Sequence, residues 1–190
     1  MYLRDNIMKL YRMFFISILV LFSSAYAVES ETAKVNSKYD FIKEIYDDSW
    51  AIIIGINQYQ NVDPLHFAVN DAKIVKEILI EKYGFAAKNI KYLINNQATK
   101  ENILDAIDEI VNNAKERDRV VVFYAGHGDT YKLPSGGDMG YLIPVDGYNS
   151  KEKIFRSSIA MSRIEEMAKM SAAKHILYLV DACYGGLSVT

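Results

Sequence analysis

The chain has 190 residues, 51% hydrophobic and 24% charged, enough for one domain with a sizeable core. A formal charge of −2 leaves no basic footprint and argues against a nucleic-acid partner. One cysteine, Cys183, excludes an intrachain disulfide and is either a small buried hydrophobe or a retained reactive thiol; composition does not choose between them.

Residues 1–27 read as a segment outside the fold. Arg4, Lys9 and Arg12 form a positive leader, Met13 to Phe22 is apolar, and Ala25-Tyr26-Ala27 has the small-residue pattern of a signal-peptidase site. The apolar run is about half of the roughly 20 residues a spanning helix needs. A cleaved secretory signal is therefore expected, with a secreted or periplasmic location and no stable membrane span after cleavage. Residues 28–48 are polar and aperiodic, and read as a linker or pro-like lead-in.

The folded domain is expected over residues 49–190. Ala51 to Ile56 is a strand candidate, apolar on both faces. Ala68, Ala72, Val75 and Leu79 recur at helical spacing, with Gly84 placed to end that helix. Asn89 to Ile94 reads as a second strand. Thr99 can cap a helix whose inner stripe is Ile103, Ile107, Ile110 and Ala114. Arg119 to Tyr124 is a third buried strand. Tyr131 to Tyr148 reads as a loop with a short hairpin. Met161, Ile164 and Ala168 suggest a weaker helix, and His175 to Val180 a fourth buried strand. Apolar strands alternating with helices imply an α/β fold with a mainly parallel sheet covered on both faces.

Ligands of such sheets sit outside the carboxyl ends of the strands. Two strand ends are chemically unusual: one runs into Ala125-Gly126-His127-Gly128, the other into Asp181-Ala182-Cys183-Tyr184-Gly185-Gly186. If the two strands are parallel neighbours, His127 and Cys183 emerge on one rim. A neighbouring imidazole can take a thiol's proton or stabilise its thiolate, so the pair points to nucleophilic catalysis. The flanking glycines permit unusual backbone and close approach, and the Gly128 N–H is a candidate donor to a developing oxyanion. His66 and His175 lack this setting and read as structural. One cysteine and three scattered histidines fit no zinc pattern, and no EF-hand spacing occurs.

These residues resemble the caspase and metacaspase family. The caspase signature is Gln-Ala-Cys-(Arg/Gln/Gly)-Gly with a histidine about 50 residues upstream. Asp181-Ala182-Cys183-Tyr184-Gly185 follows His127 in that order, with Asp at the first position as in metacaspases. Ile53 to Tyr59, Leu65 with Ala68 to Ala72, Tyr124 to Gly128, and Gly140 to Asp146 are similar to further segments of the family, so the likeness spans roughly Trp50 to Gly186.

The resemblance implies a caspase-hemoglobinase-type three-layer sandwich and peptide-bond hydrolysis through a thioester. It implies Cys183 as nucleophile, His127 as proton-transfer partner, and the Gly128 and Cys183 N–H groups as the oxyanion hole. Asp71 and Asp181 match the acids of the metacaspase substrate pocket. Two carboxylates there would repel an acidic side chain and attract Arg or Lys, which predicts cleavage after a basic residue.

The acidic loop of calcium-dependent metacaspases is reduced here to Asp129, Asp138 and Asp146, with Lys132 among them, so no cofactor is expected. The family continues after the cysteine into a smaller portion that completes the pocket. That portion is expected to be missing or separately supplied, leaving an open sheet edge. Two other readings share the motifs: a catalytically silent scaffold, and a thiol enzyme with another substrate.

Overall fold

In the computed structural model, which describes residues 42–182, the apolar runs become strands and the 3.6-periodic runs become helices. In chain order from Ser49 the elements are β1 (Ser49–Gly55), α1 (Ala68–Tyr83), β2 (Ile90–Ile94), α2 (Lys100–Asn113), β3 (Arg119–Ala125), β4 (Gly128–Lys132), β5 (Asp138–Leu142), the single turn α3 (Ile154–Ser157), β6 (Ile159–Ala160), α4 (Met161–Met170) and β7 (His175–Asp181). The expected signal segment, most of the lead-in, and Cys183 with the residues after it lie outside the described residues.

Four strands form one parallel sheet in the order β2-β1-β3-β7. The period-2 alternation of the central strands sorts their side chains between two cores. Ile52, Ile54, Val120, Val122 and Tyr124 face α2 and α4, against Ile103, Ile107, Ile110, Ile164 and Met167. Ala51, Ile53, Val121 and Phe123 face α1, against Ala68, Ala72 and Leu79. Each fully buried isoleucine contributes about 1.5–3 kcal/mol of transfer free energy. The result is helix, sheet, helix: two helices on one face and one on the other.

Local chemistry sets the helix ends. Gly84 adopts the left-handed conformation (φ 71°) after α1, and Phe85 N–H bonds back to the Leu79 carbonyl at 3.0 Å. At α2, Thr99 Oγ1 accepts from Asn102 N–H at 3.2 Å and the Asp146 carboxylate accepts from Lys100 N–H at 2.9 Å. Two orphan donors of the first turn are thus satisfied. Residues Tyr46 to Asp48, just before β1, are tied into the same compact unit. Their anchor is the buried Asp118 carboxylate, which accepts from Asp48 N–H, Trp50 Nε1–H and Lys115 N–H at 2.9–3.0 Å.

Three expectations need correction. The hairpin begins at Gly128 rather than Tyr131: β4 and β5 pair antiparallel from Gly128↔Leu142 to Lys132↔Asp138, and β6 joins them. Hydrophobic period missed this strand because Gly-Asp-Thr-Tyr-Lys has no apolar alternation. In α4 the buried pair is Ile164 and Met167, an i,i+3 step, and Ala168 is exposed. Most consequentially, β7 is not a buried strand. Among the described residues it lies at the sheet edge, with Leu177 53% and Leu179 41% exposed on the α1 side of the sheet.

Candidate active site

The parallel register brings three strand ends to one level. Gly55 pairs with Ala125, and Ala125 pairs with Asp181. Hydrogen bonds continue past the strands, from Ile56 N–H to the Ala125 carbonyl (3.1 Å) and from Gly126 N–H to the Asp181 carbonyl (3.2 Å). A fourth segment meets this rim because Gly55 has no side chain. A Cβ there would stand 2.6 Å from both the Ala68 carbonyl and the Ala72 Cβ, so the start of α1 packs directly on the end of β1.

Asp71 occupies the first turn of α1, half-buried, where a carboxylate is favoured by the helix dipole. Asp181 ends β7 and is exposed. Among the described residues no hydrogen bond or ion pair engages either carboxylate. Two residues beyond Ala125 stands His127. Two residues beyond Asp181 in the sequence stands Cys183, outside the described residues.

His127 is half-buried and firmly held. Its Nε2 lies 2.8 Å from the Asp63 carbonyl oxygen. A carbonyl only accepts, so Nε2 carries the proton and Nδ1 is left as the basic nitrogen. The Tyr59 ring lies against the imidazole at a centroid distance of 4.9 Å. Asp63 sits on the β1–α1 connection, and that connection is pinned by two asparagines. Asn95 Oδ1 accepts from the N–H groups of Asn57 and Gln58 at 2.9 and 3.1 Å. Asn57 in turn accepts from Val69 N–H through Oδ1 (3.2 Å) and donates through Nδ2 to the His66 carbonyl (3.1 Å). Asn95 has φ of 44°, a left-handed position that asparagine tolerates.

Gly128 opens β4. Ile143 N–H donates to the His127 carbonyl at 3.0 Å, which makes Gly128↔Leu142 a non-hydrogen-bonded pair of the antiparallel ladder. The Gly128 N–H therefore points away from β5. Gly126 is not in the left-handed region expected of a glycine kept for its conformational freedom; the described glycines there are Gly84, Gly136 and Gly137.

The other two histidines make different contacts. His66 lies exposed, edge-on to Phe67, and His175 Nδ1 is 2.8 Å from the Tyr46 hydroxyl. The acids after the histidine motif are dispersed. Asp146 caps α2, Asp129 Oδ1 accepts from Thr130 N–H at 2.7 Å, and Asp138 pairs in register with Lys132 across the hairpin. Among the described residues no three His, Cys, Asp or Glu side chains converge on a metal-sized site.

Fold and rim together define a caspase-like α/β sandwich with a histidine held at the carboxyl edge of its parallel sheet. The caspase domain model of the C14 peptidases matches residues 48–189, and the chain belongs to that family. It is 30% identical over 146 residues to metacaspase-1 of Eremothecium gossypii, covering 72% of this chain and 31% of that protein. It is 34% identical over 121 residues to metacaspase-6 of Arabidopsis thaliana, covering 58% of this chain and 33% of that one. The chain thus spans about a third of the length of these curated relatives. A crystal structure of a Geobacter sulfurreducens protein shares the fold, with a TM-score of 0.61 at 21% identity over 75% of this chain and 53% of that one.

Sequence reasoning singled out His127, Gly128, Asp71 and Asp181 among the described residues and missed those that hold the histidine: Tyr59, Asp63, Asn57 and Asn95. Asp63 acts through its carbonyl, which no side-chain pattern reveals. The Asn95-Asn96 pair directly after a strand is the one local signal that could have marked the latch.

Proposed function

We propose that this chain carries the catalytic machinery of a cysteine endopeptidase that cuts after Arg or Lys. The reading is carried by one observation: Ala125 and Asp181 are paired on adjacent parallel strands, and His127 and Cys183 each follow two residues later. In the reaction, the Cys183 thiol gives its proton to His127 Nδ1, and the thiolate attacks the carbonyl carbon of the scissile bond. The oxyanion is stabilised by the N–H groups of Gly128 and Cys183. The tetrahedral intermediate collapses, the imidazolium protonates the leaving amine, and a thioester remains. Water, deprotonated by His127, then releases the acid and restores the thiol.

Nε2–H donation to Asp63 supports this scheme, since it leaves Nδ1 as the nitrogen able to take and return the proton. The unengaged carboxylates of Asp71 and Asp181 support a basic specificity, with Arg favoured for bidentate pairing. The exposed apolar flank of β7 supports a further portion of protein pairing with that edge and completing the pocket. The reading includes no bound metal or other cofactor. The positive leader and small-residue site at residues 25–27 support export.

The test is hydrolysis of fluorogenic peptides by the full-length protein. Turnover after Arg or Lys, loss in Cys183→Ala and His127→Ala, and a strong reduction for Arg peptides in Asp181→Ala are the expected results. Inertness toward peptides and thiol probes alike would favour a silent scaffold instead.

A further inference from the structure

The backbone of His127 is gripped at both ends by tyrosine hydroxyls from two different segments, Tyr59 on the β1–α1 connection and Tyr124 near the end of β3. The His127 N–H donates to the Tyr59 hydroxyl at 2.7 Å, and the His127 carbonyl accepts from the Tyr124 hydroxyl at 2.7 Å. Tyr124 Oη also lies 2.8 Å from the Ile143 carbonyl. Tyr59 Oη is thus the acceptor of the His127 N–H, and the single Tyr124 proton serves the two carbonyls. The N–H and C=O of His127 are both satisfied, in a region where an unpaired polar group would cost about 1–3 kcal/mol.

A second, independent feature converges on the same place. A Cβ added to Gly126 would stand 2.6 Å from Tyr59 Oη and 2.7 Å from Tyr124 Oη. The glycine before the histidine is therefore needed for room: it lets both hydroxyls reach the peptide they hold. Tyr59 also lays its ring on the imidazole. One residue thus touches both the backbone and the ring of His127, while the Asp63 carbonyl holds the far nitrogen.

We propose that Tyr59 and Tyr124, with Gly126 as the space that admits them, are positioning residues that lock His127 in the Nε2–H tautomer and hold Nδ1 toward the thiol. The proposal rests on the peptidase reading for its consequence in turnover, but not for its effect on the imidazole. Burial raises the Tyr59 pKa above its ordinary value, so the hydroxyl stays protonated across the working range of a thiol enzyme.

The experiment is nitrogen-15 NMR of the histidine side chains of the full-length protein across pH, with His66 and His175 as internal references, alongside kcat and KM. In the unsubstituted protein neutral His127 shows one tautomer, protonated at Nε2. In Tyr59→Phe, which keeps the ring but removes the acceptor, the tautomers mix and kcat falls on the order of tenfold with KM little changed, as loss of about 1.4 kcal/mol of hydrogen bonding in the transition state requires. Gly126→Ala, which touches no part of the imidazole, gives the same mixing by pushing the hydroxyls apart. Tyr124→Phe serves if either variant fails to fold. A locked tautomer released by these substitutions in a protein that cuts no peptide upholds the clamp and removes the peptidase reading. An unchanged tautomer and kcat in folded Tyr59→Phe and Gly126→Ala overturns the clamp, whatever the peptidase activity.

Discussion

Strands β3 and β7 read alike and live differently. Arg-Val-Val-Val-Phe-Tyr-Ala and His-Ile-Leu-Tyr-Leu-Val-Asp are both apolar runs of seven residues, parallel neighbours in full register. The first is buried from Val120 onward, with β1 on one side and β7 on the other. The second has, among the described residues, β3 on one side only, and it bares Leu177 and Leu179 on a face that α1 leaves uncovered. Apolar composition therefore encodes strand formation, but position within the sheet depends on what lies beyond the edge. The two strand ends divide the chemistry the same way: the histidine leaves the enclosed strand and is held by a dense polar network, while Asp181 leaves the open one and is exposed.

Substitutions can sharpen this contrast. The largest effect is expected in the enclosed region. Ile52→Ala, at a side chain with no exposure, should cost about 2–5 kcal/mol, read as a fall in the denaturation midpoint. Asp118→Ala should cost about 2–3 kcal/mol, because three donors of the Asp48, Trp50 and Lys115 groups lose their acceptor in a buried site. Asp118→Asn should recover part of that loss by keeping one acceptor oxygen. A cost below about 0.5 kcal/mol for Asp118→Ala would mean that water replaces the carboxylate.

On the open strand, Leu177→Ala should change the stability of this chain by no more than about 0.5 kcal/mol. Leu177→Lys should raise its solubility by breaking an exposed apolar edge. A loss of several kcal/mol in Leu177→Ala would show that the outer face of β7 is covered in solution and would dissolve the contrast.

The smallest effect is on the alkaline side. Burial raises the pKa of Tyr59 above the ordinary 10.0. A raised folded-state value means that the unfolded chain loses its phenolic proton first. The associated stability is complete below the unfolded value and disappears as pH rises through the folded one. Thermal denaturation should therefore show a decline beginning near pH 10, shallower in Tyr59→Phe.

Much of this was legible in the sequence because its physics is local. The Ile103, Ile107, Ile110 and Ala114 stripe, the Thr99 cap and the Gly84 terminus each depend on residues within one or two turns. The parallel pairing of β3 with β7 was legible at one remove, from the alternation of apolar strands with helices. What stayed hidden is non-local or made by the backbone. The Asp63 carbonyl, the Asn57–Asn95 latch and the placing of Met167 rather than Ala168 against the core depend on where distant segments meet. Strand β4 has no hydrophobic alternation to betray it, and the exposure of β7 depends on the lack of a described neighbour beyond the edge.

The most direct test of the central claim uses the fact that Cys183 is the sole cysteine of the chain. The rate of alkylation by iodoacetamide, followed against pH in the unsubstituted protein and in His127→Ala, reports the thiolate of that one residue. The account predicts a reactive thiolate well below the ordinary thiol range of about 8.5 when His127 is present, and a return to about that value when it is removed. Superimposable profiles for the two proteins would contradict the pairing of imidazole and sulfur.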